Sequence, residues 1–177
     1  MTAPRIGIFG GAFDPPHLGH VLGAVWAHAV APLDAVWVVP VAQAHPWGKE
    51  PCPFPFRLEL CRAAFADLPF VQVSDAESRN PTGFTVDLLR LLRQEHPSTR
   101  WSLIIGTDQA QAFDGWREPQ AIRDMADLIV LPRGGQATGP AIPAISSTLI
   151  RERLAKGLSI RDLVPQKVAQ LLTPGSV

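Results

Sequence analysis

The sequence predicts an α/β fold, a parallel sheet flanked by helices, with a small helical element at the C-terminal end. Three observations carry this. Compact apolar runs rich in β-branched or aromatic residues recur at 6–9, 35–39, 70–73, 101–105 and 128–131, each of a length suited to a buried strand. Helix-length segments separate them at 18–30, 55–66, 85–95 and 119–125, and regular alternation of strand and helix leaves the strands parallel. Beyond the last run, Gly134-Gly135-Gln136-Ala137-Thr138-Gly139-Pro140 reads as a loop, and two short helices follow.

The first of those helices is expected to start at Ser146 or Ser147, whose hydroxyls suit a helix cap. The second is expected to carry Pro165 in its first turn, with Val168, Leu171 and Leu172 forming an apolar stripe at i, i+3, i+4. That stripe reads as packing. In a parallel sheet, ligands bind beyond the carboxyl ends of strands. The segments after Phe9, Val39, Ile105 and Leu131 are therefore where function is sought.

A chain of 177 residues supports one substantial core, so a single domain over 1–177 is expected. Sixteen basic residues balance sixteen acidic ones, which leaves no overall field toward nucleic acid or an anionic membrane; phosphate binding would have to be local. Cys52 and Cys61 match neither a zinc-knuckle nor a redox spacing and fit a reduced, cytoplasmic setting. The apolar runs end well short of a bilayer's span, and the N-terminus lacks the apolar stretch of an export signal. A homo-oligomer is compatible with the sequence, which does not specify one.

The turn after the first run reads Gly10-Gly11-Ala12-Phe13-Asp14-Pro15-Pro16-His17-Leu18-Gly19-His20. Its paired glycines let backbone approach a phosphate with no Cβ in the way. A dinucleotide fingerprint needs a different glycine spacing and an acidic end to the second strand, where this chain has Val39-Pro40. A P-loop fails at Gly48-Lys49-Glu50, which has neither the earlier glycine nor the hydroxyl. What remains is His17-x-Gly19-His20. A spacing of three puts both imidazoles on one side of a first helical turn, where N–H groups and the helix dipole favour anions. A zinc site would need more ligands than Asp14 and the two histidines provide, so no protein-bound metal is expected.

This segment resembles the nucleotidylyltransferase superfamily, in the G-x-F-D-P-x-H-x-G-H form of the nicotinate/nicotinamide mononucleotide adenylyltransferases. Later segments extend the resemblance across nearly the whole chain: Ile105-Gly106-Thr107-Asp108, then Trp116, then Ile145-Ser146-Ser147-Thr148-Leu149-Ile150-Arg151. The resemblance implies a Rossmann-like sheet and adenylyl transfer from ATP to nicotinate mononucleotide, with Mg²⁺ accompanying ATP. It implies that His17, His20 and Arg151 act on the phosphates in the transition state. It further implies that Gly10, Gly11, Ala12, Phe13, Gly19, Gly106, Asp108, Ser146, Ser147 and Thr148 hold ATP. Asp14, His45, Phe84, Thr85 and Trp116 would hold the mononucleotide, with Trp116 stacking on the pyridine ring.

Each assignment has a plainer counterpart. Arg151 could be a solvated arginine on a capped helix, Asp108 the N-cap of the helix through Ala112, and Trp116 ordinary core. Lys49 is read either as a triphosphate ligand or as a loop lysine, and Arg133 either as a phosphate ligand beyond a strand end or as solvated. Three departures from the family pattern stand out: Ala44-His45-Pro46-Trp47-Gly48-Lys49 lacks an adjacent His-Lys pair, Ala12 replaces a hydroxyl residue, and Phe84 stands where tyrosine is common. Alternative acceptors are nicotinamide mononucleotide and another phosphate such as phosphopantetheine. A non-catalytic nucleotide-binding regulator keeping the same fold is the alternative from a different class.

Overall fold

The apolar runs become parallel strands. In the computed structural model, which describes residues 2–43, 51–132 and 142–173, the order is β1 (Arg5–Gly11), α1 (Leu18–Val30), β2 (Ala35–Pro40), α2 (Phe54–Phe65), β3 (Val71–Val73), α3 (Thr85–Glu95), β4 (Arg100–Gly106), α4 (Thr107–Gln111), α5 (Pro119–Met125), β5 (Ala126–Leu131), α6 (Ser147–Ala155) and α7 (Gln166–Leu171). The strands form one sheet, β3-β2-β1-β4-β5, with every neighbouring pair parallel. This is a Rossmann-like architecture. Register places Phe9 beside Val38 on one flank and Ile104 on the other, so β1 is the central strand and the chain direction across the sheet reverses at it. Such a reversal opens a crevice at the carboxyl ends of β1 and β4.

Alternation along the strands builds two cores. Ile8, Trp37, Val39, Leu103 and Ile105 face α3 and α5, meeting Val86, Leu89, Leu92 and Ile122. Phe9, Val36, Val38 and Ile104 face the other way, toward Ala24 and Ala27 of α1, Cys61 and Phe65 of α2, Ile150 of α6 and Val168 of α7. A strand covered on both faces has apolar residues at odd and even positions alike, which is why these segments read as continuous apolar runs.

The helices α1, α3 and α5 span the expected ranges, and the boundaries that moved, those of α2 and of the strands, did so by one or two residues. Two short 3₁₀ turns, Ala76–Arg79 and Phe113–Gly115, had no sequence expectation. Pro165 is the N-cap of α7 rather than a first-turn residue; it precedes the helix in extended backbone and fixes where the helix can begin. The stripe on α7 packs as expected, with Val168 and Leu172 buried in the core and Leu171 partly buried against it. Asp108 is not the N-cap of α4: Gly106 occupies that position, and Asp108 is exposed on the first turn. Extended backbone at Gly106 comes directly from β4, so the strand itself sets the helix start.

Candidate active site

The first turn is built from the core outward. Phe13 adopts a left-handed backbone, φ 49°, and its ring is buried against Phe9, Phe65 and His20, with the His20 ring 4.7 Å away. A bulky residue in that region costs on the order of 1–3 kcal/mol, offset here by aromatic burial. The Phe13 side chain is thus a core anchor, and only its main chain is available to a nucleotide. A methyl at Gly11 would stand 3.2 Å from that ring, so Gly11 makes room for Phe13. At Gly10 a methyl would meet only the Val39 carbonyl oxygen at 4.0 Å. The protein itself leaves space there for a side chain.

His17 caps α1. Its main-chain N–H donates to Nδ1 of His20 at 3.2 Å, which places the ring proton of a neutral His20 on Nε2, an N–H donor. The two imidazoles stack with centroids 3.7 Å apart and planes at 23°. A methyl at Gly19 would lie 3.0 Å from Nδ1 and 3.1 Å from Cε1 of His17. Gly19 therefore makes room for the His17 ring, which is buried.

Residues far apart in sequence meet on this turn. Ser146 caps α6, accepting the Leu149 N–H at 3.2 Å. Ser147 Oγ donates to the Pro15 carbonyl at 2.8 Å, and Arg151 Nη1 donates to the Asp14 carbonyl. Arg151 also reaches Thr148 Oγ1 at 3.2 Å and lies 3.8 Å from the Asp14 carboxylate. The Asp14 side chain accepts the Cys52 N–H at 3.2 Å, so its described partners are protein groups. Leu18 N–H donates to the Leu163 carbonyl at 3.0 Å, closing the C-terminal segment over the start of α1.

One residue at this turn escaped the sequence reading. Arg57 is fully buried, with Nε donating to the Cys52 carbonyl and Nη1 to the Ala12 carbonyl, each at 2.8 Å. Burial lowers its pKa, while Asp14 opposes the shift. The signal available was a cation at the head of an apolar stripe, with Cys61, Ala64 and Phe65 following at helical spacing. Beside it, burial and a hydrogen bond to Asp14 push the Cys52 thiol up to about 11, so the thiol stays protonated at neutral pH.

A second group lies at the start of α3. Phe84 is its N-cap and is about half exposed; Thr85 opens the helix, so its N–H is one of the first-turn donors a helix leaves without an internal acceptor. Trp116 follows the 3₁₀ turn and leans on Phe113 at 5.2 Å, half-buried, and the next residue, Arg117, lies over the Phe84 ring. Buried Glu77 links this region to the end of β2. Both its oxygens accept from Asn80 Nδ2 at 3.2 Å, the same amide donates to the Phe84 carbonyl, and the Ala42 main chain also bonds the carboxylate. A methyl at Gly83 would stand 3.2 Å from Gln43 Oε1, which places the β2 extension against the same turn. Asp108 is exposed on the first turn of α4, just past the end of β4. His45, Lys49 and Arg133 lie outside the described residues.

The residues 8–153 match the cytidylyltransferase-like family. The chain belongs to that family. Proteins named as nicotinate-nucleotide adenylyltransferases are its relatives: one from Anaeromyxobacter dehalogenans is 41% identical, covering 93% of this chain and 91% of its own, and one from Myxococcus xanthus is 38% identical over 93% and 90%. These relatives place the chain in the nicotinate-nucleotide adenylyltransferase branch of the family. Among solved structures, a protein of that designation from Vibrio parahaemolyticus superposes with a TM-score of 0.77 at 26% identity, over 95% of this chain and 97% of that one. Plasmodium falciparum nicotinic acid mononucleotide adenylyltransferase, solved with NaAD, shares the fold at a TM-score of 0.75 and 18% identity, over 95% and 94%.

Proposed function

We infer that the protein transfers the adenylyl group of ATP to nicotinate mononucleotide, giving nicotinate adenine dinucleotide and pyrophosphate. The observation that carries this reading is the meeting of the Gly10–Gly11 turn, the stacked His17–His20 pair and Arg151 at the carboxyl end of the central strand. Its family membership and the names of its relatives support it.

The mononucleotide phosphate oxygen attacks the α-phosphorus of ATP in line, and the bond from that phosphorus to the oxygen bridging the β-phosphate breaks, expelling pyrophosphate. A phosphate monoester has a second pKa of about 6, so the nucleophile is a dianion at neutral pH and needs no general base. What the protein must do is hold two anions together and stabilise charge as pyrophosphate forms. The open Cβ position at Gly10 suits close phosphate approach. His17, His20 and Arg151 are the donors, with Gly19 keeping His17 in place and Ser146, Ser147 and Thr148 positioning α6. Ala12 and Phe13 contribute main chain, while Gly106 and Asp108 hold the ATP ribose. Phe84, Thr85 and Trp116 hold the pyridine nucleotide, with Asp14 also assigned to the mononucleotide.

Among the described residues, no three or more His, Cys, Asp or Glu side chains are grouped to hold a metal ion. The reading takes Mg²⁺ as the ion that accompanies ATP, where it would neutralise the departing charge. No helix among the described residues is long and apolar enough to cross a membrane, and the net charge of zero draws the protein to neither nucleic acid nor lipid. The reading takes ATP and the mononucleotide as partners and the cytoplasm as the setting.

The decisive measurement is pyrophosphate release from ATP and Mg²⁺ with nicotinate or nicotinamide mononucleotide offered in turn. Release with nicotinate mononucleotide is expected. ATP binding without release on either acceptor would sink the reading in favour of a nucleotide-binding regulator or another acceptor.

A further inference from the structure

The acceptor ring differs between the two pyridine mononucleotides only by a carboxylate or an amide, so a residue that selects between them reads charge or hydrogen-bonding pattern. Arg117 is suitably placed. It directly follows Trp116, and its guanidinium carbon lies 4.7 Å from the centroid of the Phe84 ring, joining the two parts of the chain that the reading above assigns to the pyridine. Its nearest carboxylate oxygens are Asp87 Oδ2 and Glu118 Oε1, both at 3.9 Å. That is beyond hydrogen-bond reach.

Those carboxylates are engaged elsewhere. Arg90 holds Asp87 at 2.9 Å and Glu118 at 2.5 Å, and Thr82 donates to Asp87 at 2.5 Å. The Arg117 fork thus makes no hydrogen bond among the described residues, while its guanidinium carbon lies over the Phe84 ring. Glu118 adopts a left-handed backbone, φ 52°, so its anchoring on Arg90 fixes the chain just past Arg117. A guanidinium held over an aromatic ring, ion-paired at 3.9 Å but not hydrogen-bonded, keeps its fork for reading a carboxylate bidentately; an amide presents one acceptor oxygen and its own N–H groups. The adjacent first turn of α3 adds a dipole of the same sign.

We propose that Arg117 is a specificity-determining residue, favouring an acceptor whose ring bears a carboxylate over one bearing an amide. This rests on the pyridine mononucleotide reading. The test is kcat/KM for nicotinate and nicotinamide mononucleotides in wild type, Arg117→Met and Arg117→Lys. A charge-assisted pair of this kind predicts that Arg117→Met loses about tenfold with the nicotinate acceptor and less than about twofold with the nicotinamide one. KM for ATP should not change, and Arg117→Lys should retain part of the preference. Equal losses on both acceptors, or a preference unchanged in Arg117→Met, overturn the role of Arg117 and leave the adenylyl-transfer reading standing. A wild-type protein that adenylylates neither acceptor overturns that reading, and this inference with it.

Discussion

A methyl group at Gly19 would press on the imidazole of His17, and the ring could move only by unstacking from His20. Gly19→Ala should therefore lower kcat about tenfold or more, the scale of a misplaced transition-state donor. Stability should change by less than about 1 kcal/mol, because alanine's better helix propensity offsets the strain; steady-state kinetics beside thermal melting separates the two effects. Arg57 sets the opposite balance. Arg57→Met keeps volume but leaves the Ala12 and Cys52 carbonyls without their guanidinium donors. At about 1–3 kcal/mol for a buried polar group left without a partner, a loss of about 3 kcal/mol is expected in urea unfolding. The loosened turn should raise KM for ATP, and unchanged unfolding would show that Arg57 does not hold it.

Between elements, the links that position the site are few and polar. α6 is joined to the first turn through Ser147 and Arg151, and β2 is joined to α3 through Glu77 and Asn80. Burial raises the Glu77 carboxyl pKa, and the donors from Asn80 and Ala42 only partly oppose it. A carboxyl raised on folding stabilises the fold fully below its unfolded pKa, and that contribution is lost as pH rises through the folded value. The stability of wild type relative to Glu77→Gln should therefore fall as pH rises above the ordinary carboxylate range. Paired denaturant titrations isolate this group because the other titrations cancel in the difference. A difference that does not vary with pH would contradict it.

At the scale of the molecule, the sheet brings the two ends of the sequence into one site, so ligand binding and folding are linked. ATP with Mg²⁺ at 100 times its Kd should add about 2.7 kcal/mol to the unfolding free energy. Removing the metal with EDTA should abolish turnover yet leave the melting temperature of the ligand-free protein where it was, since no described cluster of side chains could hold the ion. A lower melting temperature in EDTA would point to a structural metal instead.

The alternation of apolar runs and helix-length segments determined the parallel sheet, because burial on both faces of a strand and one face of a helix imposes different periods. The spacing of His17 and His20 likewise determined their shared helical turn. Long-range partners had no such local trace. That Phe13 is a core anchor, that Asp14 bonds Cys52 and Arg151, and that Arg57 lies buried behind Ala12 depends on segments up to 137 residues apart meeting. Pro165 stands one position before its expected place for a related reason, since where a helix starts is set by the extended backbone leading into it. Periodicity is a local property and was legible in the sequence; which polar groups lose their water, and which partners replace it, was decided by the tertiary structure.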